Sequence, residues 1–220
     1  MAIEREAREV RGTSMKQYYE TYWRRDAPPP VGDPLAPMRL QLLRQCIAGT
    51  DAERVLEVGC GAGDLAGALA GDGIAATGLD ISDGAVALAA EAHPACRFIQ
   101  HQVEDRPWPI EAGAFDVVAS FEVIEHLLQP RELLLGARTA LRDGGHIAIT
   151  TPHHGVAKNM AVALRGFDRH FAVEGEHIRF FSDRALLRLL DETGFETLRV
   201  AHFGRGWPLW AGVFVWAKKR

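Results

Sequence analysis

Three glycines on alternate positions, Gly59, Gly61 and Gly63, follow directly on the apolar run Val55-Leu56-Glu57-Val58 and precede Asp64-Leu65. A residue without a Cβ reaches backbone angles closed to others and lets a ligand lie almost against the main chain. The pattern predicts a short buried strand over 54–58, a glycine turn, and a helix opening at Asp64. The free N–H groups of a helix N-terminus suit the turn to a polar ligand. Asp80 stands seventeen residues past Gly63, closing a second predicted strand, Ala75-Ala76-Thr77-Gly78-Leu79-Asp80. An acidic residue at the tip of the second strand is where a ribose diol is held in nucleotide-binding α/β folds.

Two ligand classes fit these features, NAD-type dinucleotides and S-adenosylmethionine, and spacing separates them. The dinucleotide fingerprint places its third glycine three positions after the second; that position is Asp64 here. Glu57-Val58-Gly59-Cys60-Gly61-Ala62-Gly63 resembles the first motif of class I S-adenosylmethionine-dependent methyltransferases. Gly78-Leu79-Asp80, Phe121-Glu122-Val123-Ile124-Glu125-His126-Leu127 and Leu141-Arg142-Asp143-Gly144-Gly145 extend the resemblance. Within that class the chain is similar to the ubiquinone-biosynthesis O-methyltransferase group and related small-molecule methyltransferases. Pro34-Leu35-Ala36-Pro37-Met38-Arg39-Leu40 is a looser echo of the group's Asn-Pro-Leu-Arg-Leu stretch, without the Asn and with altered spacing.

From residue 54 onward strand and helix patterns alternate, the mark of a parallel sheet covered on both faces. Strands are expected at 54–58, 75–80, 96–100, 116–121 and 146–150, and helices at 64–70, 83–92, around 131–141 and after Ser182-Asp183. Asp143-Gly144-Gly145 is expected to cap the helix before it. Glu196–His202 and Gly212–Lys218 read as an antiparallel pair at the sheet edge. The resulting fold class is α/β: a Rossmann-like, seven-stranded, mostly parallel sheet with an antiparallel C-terminal edge strand and a helical N-terminal arm. Residues 1–50 are read as the arm or lid and 51–220 as the methyltransferase domain. Residues 152–181 form a lid insertion, partly helical at 156–165. Tyr18, Tyr19, Tyr22 and Trp23 either pack as an aromatic helix face or cover a ligand.

With 220 residues, 47% of them apolar, the chain can bury a substantial core, and its net charge of −4 offers no basic field for nucleic acid. The fourth strand also lacks the Asn/Asp-Pro-Pro-aromatic run of base-amine methyltransferases. Cys46, Cys60 and Cys96 have no metal-type spacing and are read as reduced thiols. With no apolar signal core and no membrane-length apolar run, a cytoplasmic location is expected.

The resemblance implies S-adenosylmethionine as cofactor, and S-adenosylhomocysteine as product. It assigns Gly59 and Gly61 to its methionine part, Glu57 to the amino group through water, and Asp80 to both ribose hydroxyls. Ile81 and Val103 would sandwich the adenine, and Gln102 would accept from the adenine amine where relatives have Asp. The Phe121 carbonyl would face the ammonium, and Arg39 either binds the carboxylate or is a surface helix arginine. The acceptor is expected to be a small molecule methylated on a hydroxyl.

Removing a hydroxyl proton calls for a base near the strand ends. His126, His153 and His154 are the candidates, with His177 as a further pocket histidine and Phe167, Phe171, Met160 and Leu164 as candidate acceptor-site lining. A helical turn would set Glu122 and His126 on one face. His126 can equally be structural, or join Glu122 and Glu125 around a divalent metal, a reading not favoured. A non-catalytic binding protein of this fold and a nicotinamide-dependent oxidoreductase are the alternatives.

Overall fold

The computed structural model describes residues 15–23, 33–165 and 178–220. Of the candidates for the pocket, His177, Phe167 and Phe171 lie outside the described residues. In chain order the elements are α1 (Met15–Tyr22), α2 (Ala36–Ile47), β1 (Arg54–Val58), α3 (Asp64–Gly71), β2 (Ala75–Asp80), α4 (Asp83–Ala92) and β3 (Arg97–Gln100). Then come β4 (Phe115–Phe121), α5 (Pro130–Ala140), β5 (Leu141–Pro152), α6 (Val156–Arg165), α7 (Asp183–Glu192), β6 (Phe195–Phe203) and β7 (Gly212–Lys219). A short 3-10 turn, Ile124–His126, follows β4.

The seven strands form one sheet in the order β3-β2-β1-β4-β5-β7-β6. The first five strands in that order pair in parallel, and β7 runs antiparallel to both β5 and β6. The strand order reverses between β1 and β4, and ligands of open α/β sheets bind beyond the carboxyl ends at such a point. The glycine turn leaves β1 there.

Both faces of the sheet are covered, which explains why its central strands are apolar at consecutive positions. On one face Leu56, Val58, Val118, Ile147 and Ile149 pack under Leu133, Leu134 and Ala137 of α5 and Leu186 and Leu190 of α7. On the other, Val55, Val117, Ala119 and Ala148 meet Leu43 and Ile47 of α2 and Ala66 and Leu69 of α3. Residues on β7 alternate between the two, Val213, Val215 and Ala217 against Phe214 and Trp216. Each fully buried Leu contributes roughly 1.5–3 kcal/mol, so this double core holds the strand ends rigidly. α2 therefore packs as a layer of the sheet domain, while α1 is placed over the carboxyl end of the strands.

Side chains of Ser82 and Ser182 accept from Ala85 N and Ala185 N, capping α4 and α7. One expected cap is different. Asp143-Gly144-Gly145 does not close α5, which stops at Ala140; the three residues lie inside β5, where the register against β4 shifts between Phe115 and Val117. Asp116 anchors that irregular start by binding Arg142 and the backbone N–H groups of Glu53 and Arg54. Among the described residues, no helix is long and apolar enough to cross a membrane.

Candidate functional site

The strand ends at the topological switch open into a cavity of about 390 Å³, within the roughly 300–1,000 Å³ of small-molecule sites. Gly59, Gly61, Asp80, Ile81, Gln102, Val103 and His126 line it, together with Glu122 and Val123 after β4. β1, β2 and β4 and the segment after β3 thus bring seven of the twelve nominated side chains or backbones to one wall.

Asp80 sits at the tip of β2 and is buried. Its Oδ2 accepts from Gly61 N at 2.9 Å and its Oδ1 from Ser82 N at 2.9 Å. Burial raises the carboxyl pKa, opposed by these backbone donors. Each oxygen keeps a further lone pair, the equipment for a vicinal diol. The glycines are required by geometry. A Cβ on Gly59, at φ +74°, would lie 2.3 Å from Val123 Cγ2; one on Gly61, at φ +50°, would lie 2.8 Å from the Trp23 ring. Behind the cavity wall formed by Val103, Trp108 Nε1 donates to the Val103 carbonyl at 2.9 Å.

The arm closes the opposite side. Met15, Tyr19, Tyr22 and Trp23 line the cavity, so of the two readings of the aromatic cluster the structure favours the cover. Glu20, which no local pattern singled out, latches the arm down. Its carboxylate accepts from Ser82 Oγ at 3.0 Å, Asp83 N at 2.7 Å and Gly84 N at 3.2 Å, at the positive end of α4. Lys16 adds an ion pair to Asp83 at 2.9 Å.

The other nominated residues stand apart from the lining. Glu57 points to the α3 face of β1, where its Oε2 accepts from Ala66 N at 3.0 Å and caps the helix after the glycine turn. Burial raises its pKa well above 4.5, with Asp80 and Asp64 adding to the rise. Arg39 is no surface residue: it is buried, bonded to Asp33 and 3.7 Å from Glu122 Oε1. The Phe121 ring packs on Phe214 at 6.2 Å. His153 Nδ1 meets Asp183 Oδ1 at 3.1 Å, and His154 Nδ1 meets Asn159 Oδ1 at 3.2 Å beside Phe180. Both histidines do follow β5, but neither lines the cavity. Met160 and Leu164 are exposed on α6.

Glu122 and His126 do not share a helical face. Glu122 adopts φ +55° and only Ile124–His126 form a turn of helix. Glu122 Oε1 accepts from Thr150 Oγ1 at 2.8 Å, while Glu125 Oε2 accepts from Thr151 Oγ1 at 3.0 Å. His126 Nε2 lies 3.9 Å from Glu125 Oε1, and its ring stands edge-on to Tyr19 at 6.2 Å. Thr150 and Thr151 thus each take one oxygen of a carboxylate and leave the other, Glu125 Oε1 being buried beside His126.

Burial, reinforced by Glu122, pushes Glu125 from an ordinary 4.5 up to about 8. A carboxyl whose folded pKa is raised binds its proton more tightly in the native state, so stability is full below about 4.5 and falls as pH rises to about 8. Thermal denaturation between those pH values should show the wild-type Tm falling more steeply than that of Glu125→Gln, which keeps the shape without the charge. Parallel profiles for the two proteins would rule this out.

A doubly covered α/β sheet with a glycine turn, a strand-tip carboxylate and a covered cavity at the switch point defines a nucleotide-cofactor enzyme fold. Residues 25–200 match the methyltransferase domain family. The chain belongs to that family, and it is an S-adenosylmethionine-dependent methyltransferase of class I. The ubiquinone biosynthesis O-methyltransferase of Cronobacter sakazakii is 31% identical over 168 residues, covering 73% of this chain and 68% of that protein. Its counterpart from Vibrio parahaemolyticus is 28% identical over 165 residues, covering 71% and 69%. Magnesium protoporphyrin IX methyltransferase from Synechocystis, solved with bound S-adenosylhomocysteine, superposes with a TM-score of 0.71 at 16% identity, over 94% of this chain and 99% of that one. This last likeness speaks for the fold.

Proposed function

We propose that the cavity holds S-adenosylmethionine and that a hydroxylated small molecule, methylated on oxygen, enters beside it. The observation that carries the reading is the convergence of Asp80, Gln102 and His126 on one cavity under an aromatic cover. The names of the relatives at 28% and 31% identity favour oxygen as the acceptor atom. The cofactor supplies an already activated methyl group on a sulfonium.

The chain's residues then bind and orient. The Asp80 carboxylate takes the ribose hydroxyls, the Gln102 amide oxygen the adenine amine, and Ile81 and Val103 the faces of the base. Gly59 and Gly61 let the main chain approach the methionine end. Glu57 acts through α3, holding the glycine turn by its bond to Ala66 N. Arg39 acts with Asp33 and Glu122, buried near the cavity rim. Tyr19, Tyr22 and Trp23 exclude water and offer flat apolar surface to a ring-bearing acceptor. His126 accepts the hydroxyl proton; of the three nominated histidines it is the one lining the cavity. The cytoplasm is the location this reading carries.

Turnover of S-adenosylmethionine against a panel of phenols and catechols tests the proposal, beside His126→Asn. The expected result is methylation of at least one phenol, with kcat reduced by about 10²-fold or more in the variant. Cofactor affinity, measured by calorimetry, should stay within about threefold, since His126 is not assigned to the cofactor. Cofactor binding with no turnover on any hydroxyl acceptor would overturn oxygen methylation, and an unchanged kcat would remove His126 as the base.

A further inference from the structure

Away from the cavity, two imidazoles and a carboxylate converge. His153 Nδ1 lies 3.1 Å from Asp183 Oδ1, and His202 Nε2 lies 2.9 Å from Asp183 Oδ2. One nitrogen or oxygen from each of the three residues falls within 4.8 Å of the others, and the two rings stand edge-to-face with centroids 4.8 Å apart. The sheet produces this arrangement. β5 and β6 flank β7 and both run antiparallel to it, so their carboxyl ends meet at one rim. His153 follows β5 and is fixed by its N–H to the Ala211 carbonyl at 3.0 Å. His202, next to the last residue of β6, pairs with Val213, and its ring stacks on Trp210 at 5.9 Å. Asp183 is the first residue of α7, behind the Ser182 cap.

Gly155 makes room for the His153 ring: a Cβ there would lie 2.5 Å from His153 Nε2. Lys158 Nζ donates to the His153 carbonyl at 2.8 Å, holding the loop from the other side. His153 is buried, whereas the side chains of Asp183 and His202 keep 34% and 28% of their exposure, so the cluster opens to solvent on one side.

We propose that His153, Asp183 and His202 form a binding site for a divalent transition metal, zinc being the best match, with solvent completing its shell. Two neutral imidazoles and a carboxylate are a familiar donor set for such an ion, and three protein ligands leave a further position open. Ligand atoms about 2.0–2.1 Å from a tetrahedral ion lie ~3.3 Å apart; the two contacts to Asp183, at 3.1 and 2.9 Å, are close to this, and the whole set lies within 4.8 Å. The ion would replace the protons that now link the rings to Asp183.

Position gives the site its consequence. The chain leaves the sheet at His153 for the 152–181 insertion and returns at Ser182-Asp183, so one ion would tie both roots of that insertion to β6. None of the three residues lines the cofactor cavity. The metal is therefore a clamp on the two roots of that segment, and the inference stands independently of which acceptor is used.

The test titrates chelator-treated protein with zinc alone by calorimetry, and with cobalt(II) alone by visible absorption, for the wild type, His202→Gln and His153→Ala. His202→Gln matters most. Its amide still donates to Asp183, so a clamp made only of hydrogen bonds survives while an imidazole ligand is lost. The expected result is one zinc per chain, a cobalt spectrum of low-symmetry nitrogen and oxygen ligation, and at least ~100-fold weaker binding in His202→Gln. Zinc should raise the wild-type Tm and leave that of His202→Gln unmoved. S-adenosylmethionine affinity should be equal in both proteins, which separates loss of the clamp from loss of the fold. Zinc affinity and Tm shift unchanged in His202→Gln, or no stoichiometric binding by the wild type, would overturn the site.

Discussion

Replacing Asp80 with Ala should lower S-adenosylmethionine affinity by about 100-fold or more while leaving the protein folded. Two hydrogen bonds from ribose hydroxyls to an ionised carboxylate are at stake, each worth ~1.5–3 kcal/mol, and 1.4 kcal/mol is a factor of ten. A second loss compounds the first. Gly61 N and Ser82 N both donate to this carboxylate at 2.9 Å, so the variant frees the glycine turn and the start of α4 together. Asp80→Asn keeps the shape but turns an amide N–H₂ toward one of these donors, and should fall between wild type and Ala. Burial, opposed by the backbone donors, raises the Asp80 pKa. Binding should therefore weaken on the acid side as the carboxylate takes up its proton, and this pH limb should disappear in Asp80→Asn. Calorimetric titration with cofactor and with S-adenosylhomocysteine measures all three proteins. Affinity in Asp80→Ala within about threefold of the wild type would remove Asp80 from the cofactor contacts and reopen the nicotinamide reading.

What was legible in the sequence, and what was not, divides along one physical line. Backbone features carried through. The glycine spacing placed the turn after β1, and the alternation of apolar runs with helical segments located seven strands along the chain. Asp80, Ile81, Gln102 and Val103 followed because strand tips at a switch point must face the crevice. Side-chain direction was not legible. Glu57 occupies the expected position, and its bond to Ala66 N on the α3 face is a partner the sequence did not announce. His153 and His154 sit past β5 as read, yet the His153 ring meets Asp183, thirty residues on.

Long-range pairing was equally hidden. Glu20 reaches Ser82, sixty-two positions away, and nothing in Gln17-Tyr18-Tyr19-Glu20 announces it. The one signal available was Ser82-Asp83 itself, a helix start whose free N–H groups called for an acceptor. Glu122 escaped for a different reason. Its φ of +55° is rare for a residue with a side chain, so the sequence favoured a continuous helical turn through His126. The chain there spends backbone strain to direct Glu122 toward Arg39 and Thr150, at the rim of the cavity.

Gly59→Ala should destabilise the fold by about 2 kcal/mol or more and abolish measurable cofactor binding at micromolar concentrations. Two costs add. Holding an alanine at φ +74° costs roughly 1–2 kcal/mol, because its Cβ approaches the carbonyl that follows. The new methyl would also stand 2.3 Å from Val123 Cγ2, and Val123 lines the cavity, so relief of the clash must push that side chain or the β1 turn into cofactor space. For a domain of this size each kcal/mol moves Tm by ~2–4 °C, which places the expected drop at ~4–8 °C. The double variant Gly59→Ala/Val123→Ala separates the terms: it removes the clash and keeps the backbone strain. Its Tm should recover part of the loss, and the remainder is the strain at Gly59. Full recovery would mean that the turn tolerates a Cβ and that Val123 alone dictates glycine; no recovery would mean that φ dictates it. A Gly59→Ala protein with wild-type Tm and cofactor affinity would show that the turn relaxes freely, and the close approach of main chain to cofactor would lose its basis.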